Sequence, residues 1–192
     1  MRMKKKTYIA FLRGINIGGQ RVKMERLREL FSALGLADVR SYIQTGNIFF
    51  ASSEVNRDAL ARKIERHLGD ALGYEVPVFL RTVAEVEHAL RLDPFKHLEA
   101  TPDTRFLITF ISQPLPADLK LPFISPKNDY EILQATSGEV FSLLRIINGR
   151  PSNPATLIEK RCKAKTTSRF FGTTIKILHA AKGGDAPPDT IP

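Results

Sequence analysis

Along residues 7–81 the spacing of apolar side chains switches between an alternating and a helical period, and the order of those switches leaves few folds open. Residues 7–12, TYIAFL, form a β-branched and aromatic run of strand type. A glycine-rich stretch follows, after which Met24, Leu27, Leu30, Phe31 and Leu34 fall on one helical stripe closed by Gly35. The segment VRSYIQTGNIFFAS reads as two strands meeting at Thr45, Gly46 and Asn47, since glycine and asparagine accept the positive φ of a tight hairpin. Leu60, Ile64, Leu68 and Leu72 recur every fourth residue as a second helix, and VPVFLR ends the series as a strand. The order βαββαβ predicts an α+β protein whose first half, residues 1–81, is a split βαβ or ferredoxin-like unit.

The second half, residues 82–181, reads as a related α+β unit with C-terminal helices. A linking helix over 83–92 stops at Asp93-Pro94, and RFLITFI is a strand. A proline-punctuated segment, 114–126, precedes YEILQAT and EVFSLLRII, two strands joined at Ser137-Gly138. Pro154 opens a helix carrying Leu157, Ile158 and Cys162, and a last helical stretch is expected over 168–181. Within it TTIKIL reads equally well as a strand. The tail, 182–192, has no apolar periodicity and is expected to be disordered.

Charge divides the chain further. Residues 1–28 hold nine Lys or Arg against one Glu, and residues 145–182 hold nine against one, while 29–144 carry eleven against sixteen Asp or Glu. The net charge of +9 thus sits at two basic ends around a mildly acidic middle. Such ends favour polyanions or phosphorylated ligands, though lysine and arginine also simply keep a surface solvated. No apolar run approaches the roughly 18–20 residues of a spanning helix, and the basic start MRMKKK leads into a short strand rather than a signal peptide. The single cysteine excludes an intramolecular disulfide, and the four histidines are scattered. A cytoplasmic protein follows, with no membrane partner, no metal and no cofactor implied.

The segments FLRGINIGG and VKMERLRELFSALGLADVRSYIQTGNIFF, and more loosely TSRFFGTTIKIL, resemble the signature segments of the domain of unknown function 1697 family. The resemblance implies a two-part α+β protein of bacterial type with a ferredoxin-like first half. It brings no established activity. Near Phe170 and Phe171 the family pattern has an asparagine and an aromatic, usually tryptophan, so a polar element of that segment is missing here.

The glycine-rich loop carries the main candidate site. Gly14, Gly18 and Gly19 match neither a dinucleotide fingerprint nor a P-loop. A strand-to-helix junction nevertheless exposes backbone N–H groups, and no Ser, Thr, Asn or Asp stands at the helix start near Lys23 to satisfy them. Arg13, Arg21 and Lys23 add positive charge where a helix N-terminus already favours an anion. The same residues also read as a turn that only reverses the chain.

In the split βαβ order the first and third strands pair antiparallel, which brings the end of one beside the start of the other. That juxtaposition suggests one polar site of Arg13, Asn16, Gln44 and Asn47, although turn and solvent-facing strand positions account for Asn47 and Gln44 as well. Phe49 and Phe50 invite comparison with RNA-recognition folds, whose third-strand pattern is absent here. No catalytic motif is evident, and Cys162, flanked by Lys160, Arg161, Lys163 and Lys165, lies on an apolar helical face. The expected function is capture of a phosphate-bearing anion, nucleotide or nucleic acid. A small-molecule enzyme acting on a phosphorylated substrate and a protein-interaction module are the alternatives.

Overall fold

The computed structural model describes residues 5–184 apart from 17 and 20, with the backbone alone described at 150 and 151. Its mixed α and β elements form two antiparallel sheets and five helices, and the chain divides into two compact units. The first takes the described residues up to Glu87 and those from Ile177 on; the second is His88–Lys176. Where the sequence divides after residue 81, the chain crosses between units within a helix, and the described residues from Ile177 on return to the first unit.

In the first unit β1 (Lys6–Leu12), β2 (Ala37–Ser41), β3 (Asn47–Ser52) and β4 (Val78–Thr82) form a sheet of order β2-β3-β1-β4. Helix α1 (Met24–Ala33) joins β1 to β2, and α2 (Arg57–Leu72) joins β3 to β4. One sheet face presents Tyr8, Ala10, Leu12, Ile48, Phe50, Val78 and Leu80 to Leu27, Leu30 and Phe31 of α1 and Leu60, Ile64 and Leu68 of α2. Phe50 stacks on Tyr8 at 5.7 Å and meets Phe31 at 5.6 Å. This is the stripe the helical spacing anticipates, and its burial is the main source of the unit's stability. Asn56 caps α2 by accepting from the Ala59 N–H at 2.9 Å, and Gly73, at φ +80°, ends it.

The opposite face of that sheet is also closed, with Ile9, Phe11, Phe49 and Phe79 buried. The Arg40 guanidinium lies 5.6 Å from the Phe49 ring centroid and donates to the carbonyl oxygens of Ala180 and Ala181 at 2.9 and 2.8 Å. A cation thereby holds the C-terminal carbonyls of the last helix, where the helix dipole favours it.

Helix α3 (Val83–Leu92) leads to the second unit, where β5 (Thr104–Ile111), β6 (Phe123–Ile124), β7 (Tyr130–Ala135), β8 (Glu139–Ile147), β9 (Arg150–Pro151) and β10 (Thr166–Phe170) make a six-stranded sheet. The order is β10-β5-β8-β7-β6, with β9 on β8. Helix α4 (Ala155–Cys162) buries Ile158 and Cys162 against Ile111, Ile132 and Val140. Phe95 forms an aromatic cluster with Phe106 at 4.7 Å and Phe171 at 5.0 Å.

Two expectations are corrected. The last helical stretch begins later than residue 168: Thr166–Phe170 is strand β10, paired with β5, and helix α5 runs Phe171–Ala181. Residues 174–178, ambiguous in the sequence, are therefore helical. The Thr109 hydroxyl 2.8 Å from that of Ser168 shows why the strand wins: its polar side chains find partners across the sheet. In the β2–β3 hairpin the positive φ values fall on Ile43 and Gly46, and Asn47 begins a strand. Of the expected tail, Lys182 pairs with Glu87 at 2.6 Å, and 185–192 lie outside the described residues.

Candidate functional site

The loop between β1 and α1 is fixed at its entrance. The Leu12 N–H donates to Gly46 O at 2.8 Å and the Arg13 N–H to Pro77 O at 3.0 Å, so the chain leaves the sheet between the hairpin and β4. Ile15 is buried in the same core as Leu12 and anchors the loop from within. Asn16, at φ +61°, uses both ends of its amide: Oδ1 accepts from the Val22 N–H at 2.7 Å and Nδ2 donates to Gln44 O at 2.9 Å. One side chain thus closes the loop upon itself and ties it to the hairpin.

Loop and hairpin therefore meet, as the antiparallel central strands require, but the residues do different work. Gln44 contributes its backbone oxygen while its side chain stays exposed. Asn47 is fully buried and donates to Tyr42 O at 3.3 Å and to the Thr45 hydroxyl at 2.9 Å, so it holds the hairpin. Arg13 and Gly14 are half-buried at the base of the loop. Gly18, Gly19, Arg21 and Lys23 form the exposed rim. Gly18 at φ +67° and Gly19 at φ +89° have open space where a Cβ would stand, so conformation is what demands glycine there.

Helix α1 starts at Lys23 with no side-chain cap, as its sequence implies. Its first turn nevertheless contains a carboxylate. The Glu25 backbone N–H and the Arg28 guanidinium hold the exposed Glu25 carboxyl below its ordinary pKa. Arg28 also donates to the Ser41 hydroxyl at 2.7 Å, and Arg26 pairs with Glu29 at 3.3 Å. These contacts answer part of the basic charge of residues 1–28. Arg21 has no ion pair among the described residues.

Other sequence candidates are closed by burial. Phe49 and Phe50 are 1% and 0% exposed, which removes both from any base-stacking surface. Cys162 is buried, and desolvation pushes its thiol pKa up, the opposite of activation by the neighbouring lysines and arginine. Among the described residues no three His, Cys, Asp or Glu gather as a metal site, and no helix is long and apolar enough to cross a membrane.

Sequence reasoning missed a concavity wholly within the second unit. A cleft of about 370 Å³ is lined by Thr101, Arg105, Phe106, Phe170, Thr173 and Lys176, among others. The signal available was an aromatic followed by a Gly-Thr helix start. Reading residues 168–170 as helix hid the strand end that shapes it.

The architecture defines a mixed α+β protein with two antiparallel sheets, whose most distinctive local feature is a clasped glycine loop with a basic rim. The chain belongs to the family described as Protein of unknown function (DUF1697), whose model matches residues 5–141. Among solved structures it is similar to conserved bacterial protein SP0830 from Streptococcus pneumoniae, at 23% identity and a TM-score of 0.66, covering 93% of this chain and 99% of that one. No curated protein matches it.

Proposed function

We propose that the protein binds a phosphate-bearing anion, a nucleotide or a nucleic-acid phosphate, on the rim of the loop formed by Gly18, Gly19, Arg21 and Lys23. The observation that carries this reading is the clasp of Asn16. It engages the Val22 N–H and Gln44 O, and the loop presents two exposed glycine backbones and two exposed cations beside an uncapped helix start. A loop held in one conformation before binding loses less entropy when an anion docks. Glu25 sets a limit: its carboxylate favours ligands approaching from the glycine side of the helix start.

We read the first unit as ferredoxin-like, because the order β2-β3-β1-β4 with α1 and α2 on one face is the split βαβ arrangement. A cytoplasmic, bacterial protein fits its lone free cysteine and its likeness to a bacterial neighbour.

The test is a titration of inorganic phosphate, ATP and a short RNA, followed by the backbone amide shifts of Gly18 and Gly19. Arg21→Ala and Lys23→Ala should each weaken binding by about 1 kcal/mol, the scale of an exposed charge-assisted contact, and added salt should weaken the RNA most. Wild-type affinity for all three ligands in both variants would show that the loop is a turn.

A further inference from the structure

The cleft of the second unit is independent of that loop and has the composition of a small-molecule site. Its floor is made where two strands and a helix meet. Phe170 ends β10 opposite Leu107 of β5, so the end of β10 lies beside Arg105 and Phe106 near the start of β5, and α5 begins at the next residue. The volume, about 370 Å³, lies in the range of ligand pockets.

Two features fix the chemistry. Positive charge converges: Arg105 and Lys176 both line the cleft, as do Gly172 and Thr173 from the first turn of α5. That turn contains no acidic residue, in contrast to Glu25 of α1, and no carboxylate pairs with Arg105 among the described residues. Arg105 is held in place by Nη1, which donates to Pro102 O at 2.9 Å and Thr104 O at 2.6 Å. Beside these cations stands an aromatic wall. Phe170 is 53% exposed although its neighbour Phe171 is buried, and Phe106 is backed by Phe95. A half-exposed ring next to a fixed guanidinium offers a flat ligand one apolar face and one cationic edge.

We propose that this cleft binds a compact aromatic molecule bearing one anionic group, the ring against Phe170 and the carboxylate or phosphate between Arg105, Lys176 and the start of α5. Small inorganic anions leave the apolar wall unused and bind more weakly. Neutral aromatics offer no anion to Arg105 and do the same.

Isothermal titration calorimetry with phenyl phosphate, benzoate, inorganic phosphate and benzyl alcohol tests it on the full chain. Phenyl phosphate or benzoate should bind at least about tenfold tighter than inorganic phosphate or benzyl alcohol, and which of the two wins identifies the anionic group. Phe170→Ala and Arg105→Gln should each weaken the better ligand about tenfold, with melting temperatures within about 2 °C of wild type for the exposed Phe170. Arg21→Ala and Lys23→Ala, in the other unit, should leave that affinity unchanged. The proposal is overturned by absence of saturable millimolar binding, by equal affinity for inorganic phosphate, by unchanged affinity in both cleft variants, or by loss of affinity in the loop variants.

Discussion

Two of the first unit's strand-to-helix turns are made by opposite means. Between β4 and α3 there is no intervening residue: β4 ends at Thr82 and α3 begins at Val83. Thr82 and Glu85 form a reciprocal capping box, with the Glu85 carboxylate accepting from the Thr82 N–H at 2.7 Å and the Thr82 hydroxyl from the Glu85 N–H at 3.2 Å. Between β1 and α1 lie residues 13–23, with positive φ at Gly14, Asn16, Gly18 and Gly19 and no side-chain cap at the end. A strand-to-helix turn in this unit therefore needs no loop of its own. The long junction forgoes a cap and adopts backbone conformations that favour glycine, features that a strand-to-helix turn does not itself demand and that the proposed anion site would use.

The contrast can be broken most severely at Gly46, the residue against which the loop entrance is pinned. A Cβ there would stand 3.0 Å from the Leu12 Cβ and 3.2 Å from the Ile15 Cβ, at φ +74°. Gly46→Val should cost about 3 kcal/mol in chemical denaturation, whereas Gly18→Val, strained but unobstructed, should cost about 1–2 kcal/mol. Equal losses would mean that the loop is as tightly built as the hairpin. Next in size is Asn16→Ala, which removes both clasp hydrogen bonds and leaves alanine at positive φ. A loss of about 2 kcal/mol is expected, with faster amide exchange at Val22.

A smaller effect belongs to the capped junction. Desolvation pushes the Glu85 carboxyl up, but the Thr82 N–H, the Arg57 guanidinium and the Thr82 hydroxyl outweigh it and hold the pKa below its ordinary value. With the folded pKa depressed, the stabilisation is complete above the unfolded carboxyl range and is lost as pH falls through the folded value. Glu85→Ala should thus cost about 1 kcal/mol at pH 7, discounted for the group's partial exposure, and the difference from wild type should shrink on acidification below about pH 4. A pH-independent difference would assign the effect to packing. The least change in stability, and the sharpest test of purpose, is Lys23→Ser. Giving α1 the missing cap should stabilise the protein by about 0.5–1 kcal/mol while weakening phosphate binding. If stability rises and phosphate affinity holds, the uncapped start has no part in binding.

Much of the first unit was legible because its signals are long and local. Two amphipathic stripes and alternating strands specify both the elements and the face each buries, and the antiparallel pairing of β1 with β3 already placed Asn16 near the hairpin. The use made of Asn16 was not legible. Its partners are backbone groups of Val22 and Gln44, and nothing in their side chains encodes that they accept or donate. Asn47 resembles a turn residue by composition, yet tertiary burial claims it, and the left-handed positions pass to Gly46 and to Ile43, a β-branched residue no propensity would choose. In the second unit, β6 and β9 are each two residues long, too short for any period to register. Strand β10 ran directly into α5 without punctuation, so the helical pattern of α5 extended backwards over it. The cleft went unseen with that boundary, since a concavity depends on where the strand stops.

The grip of Arg40 on the last carbonyls of α5 bears on the order in which this protein can be assembled. Most residues of the first unit emerge from the ribosome before the second unit is made, but Ile177 and Ala181, buried parts of the first, emerge only after His88–Lys176. Until then Arg40 lacks its acceptors, and the nascent first sheet must wait for helix α5, at the usual pace of translation, to be finished.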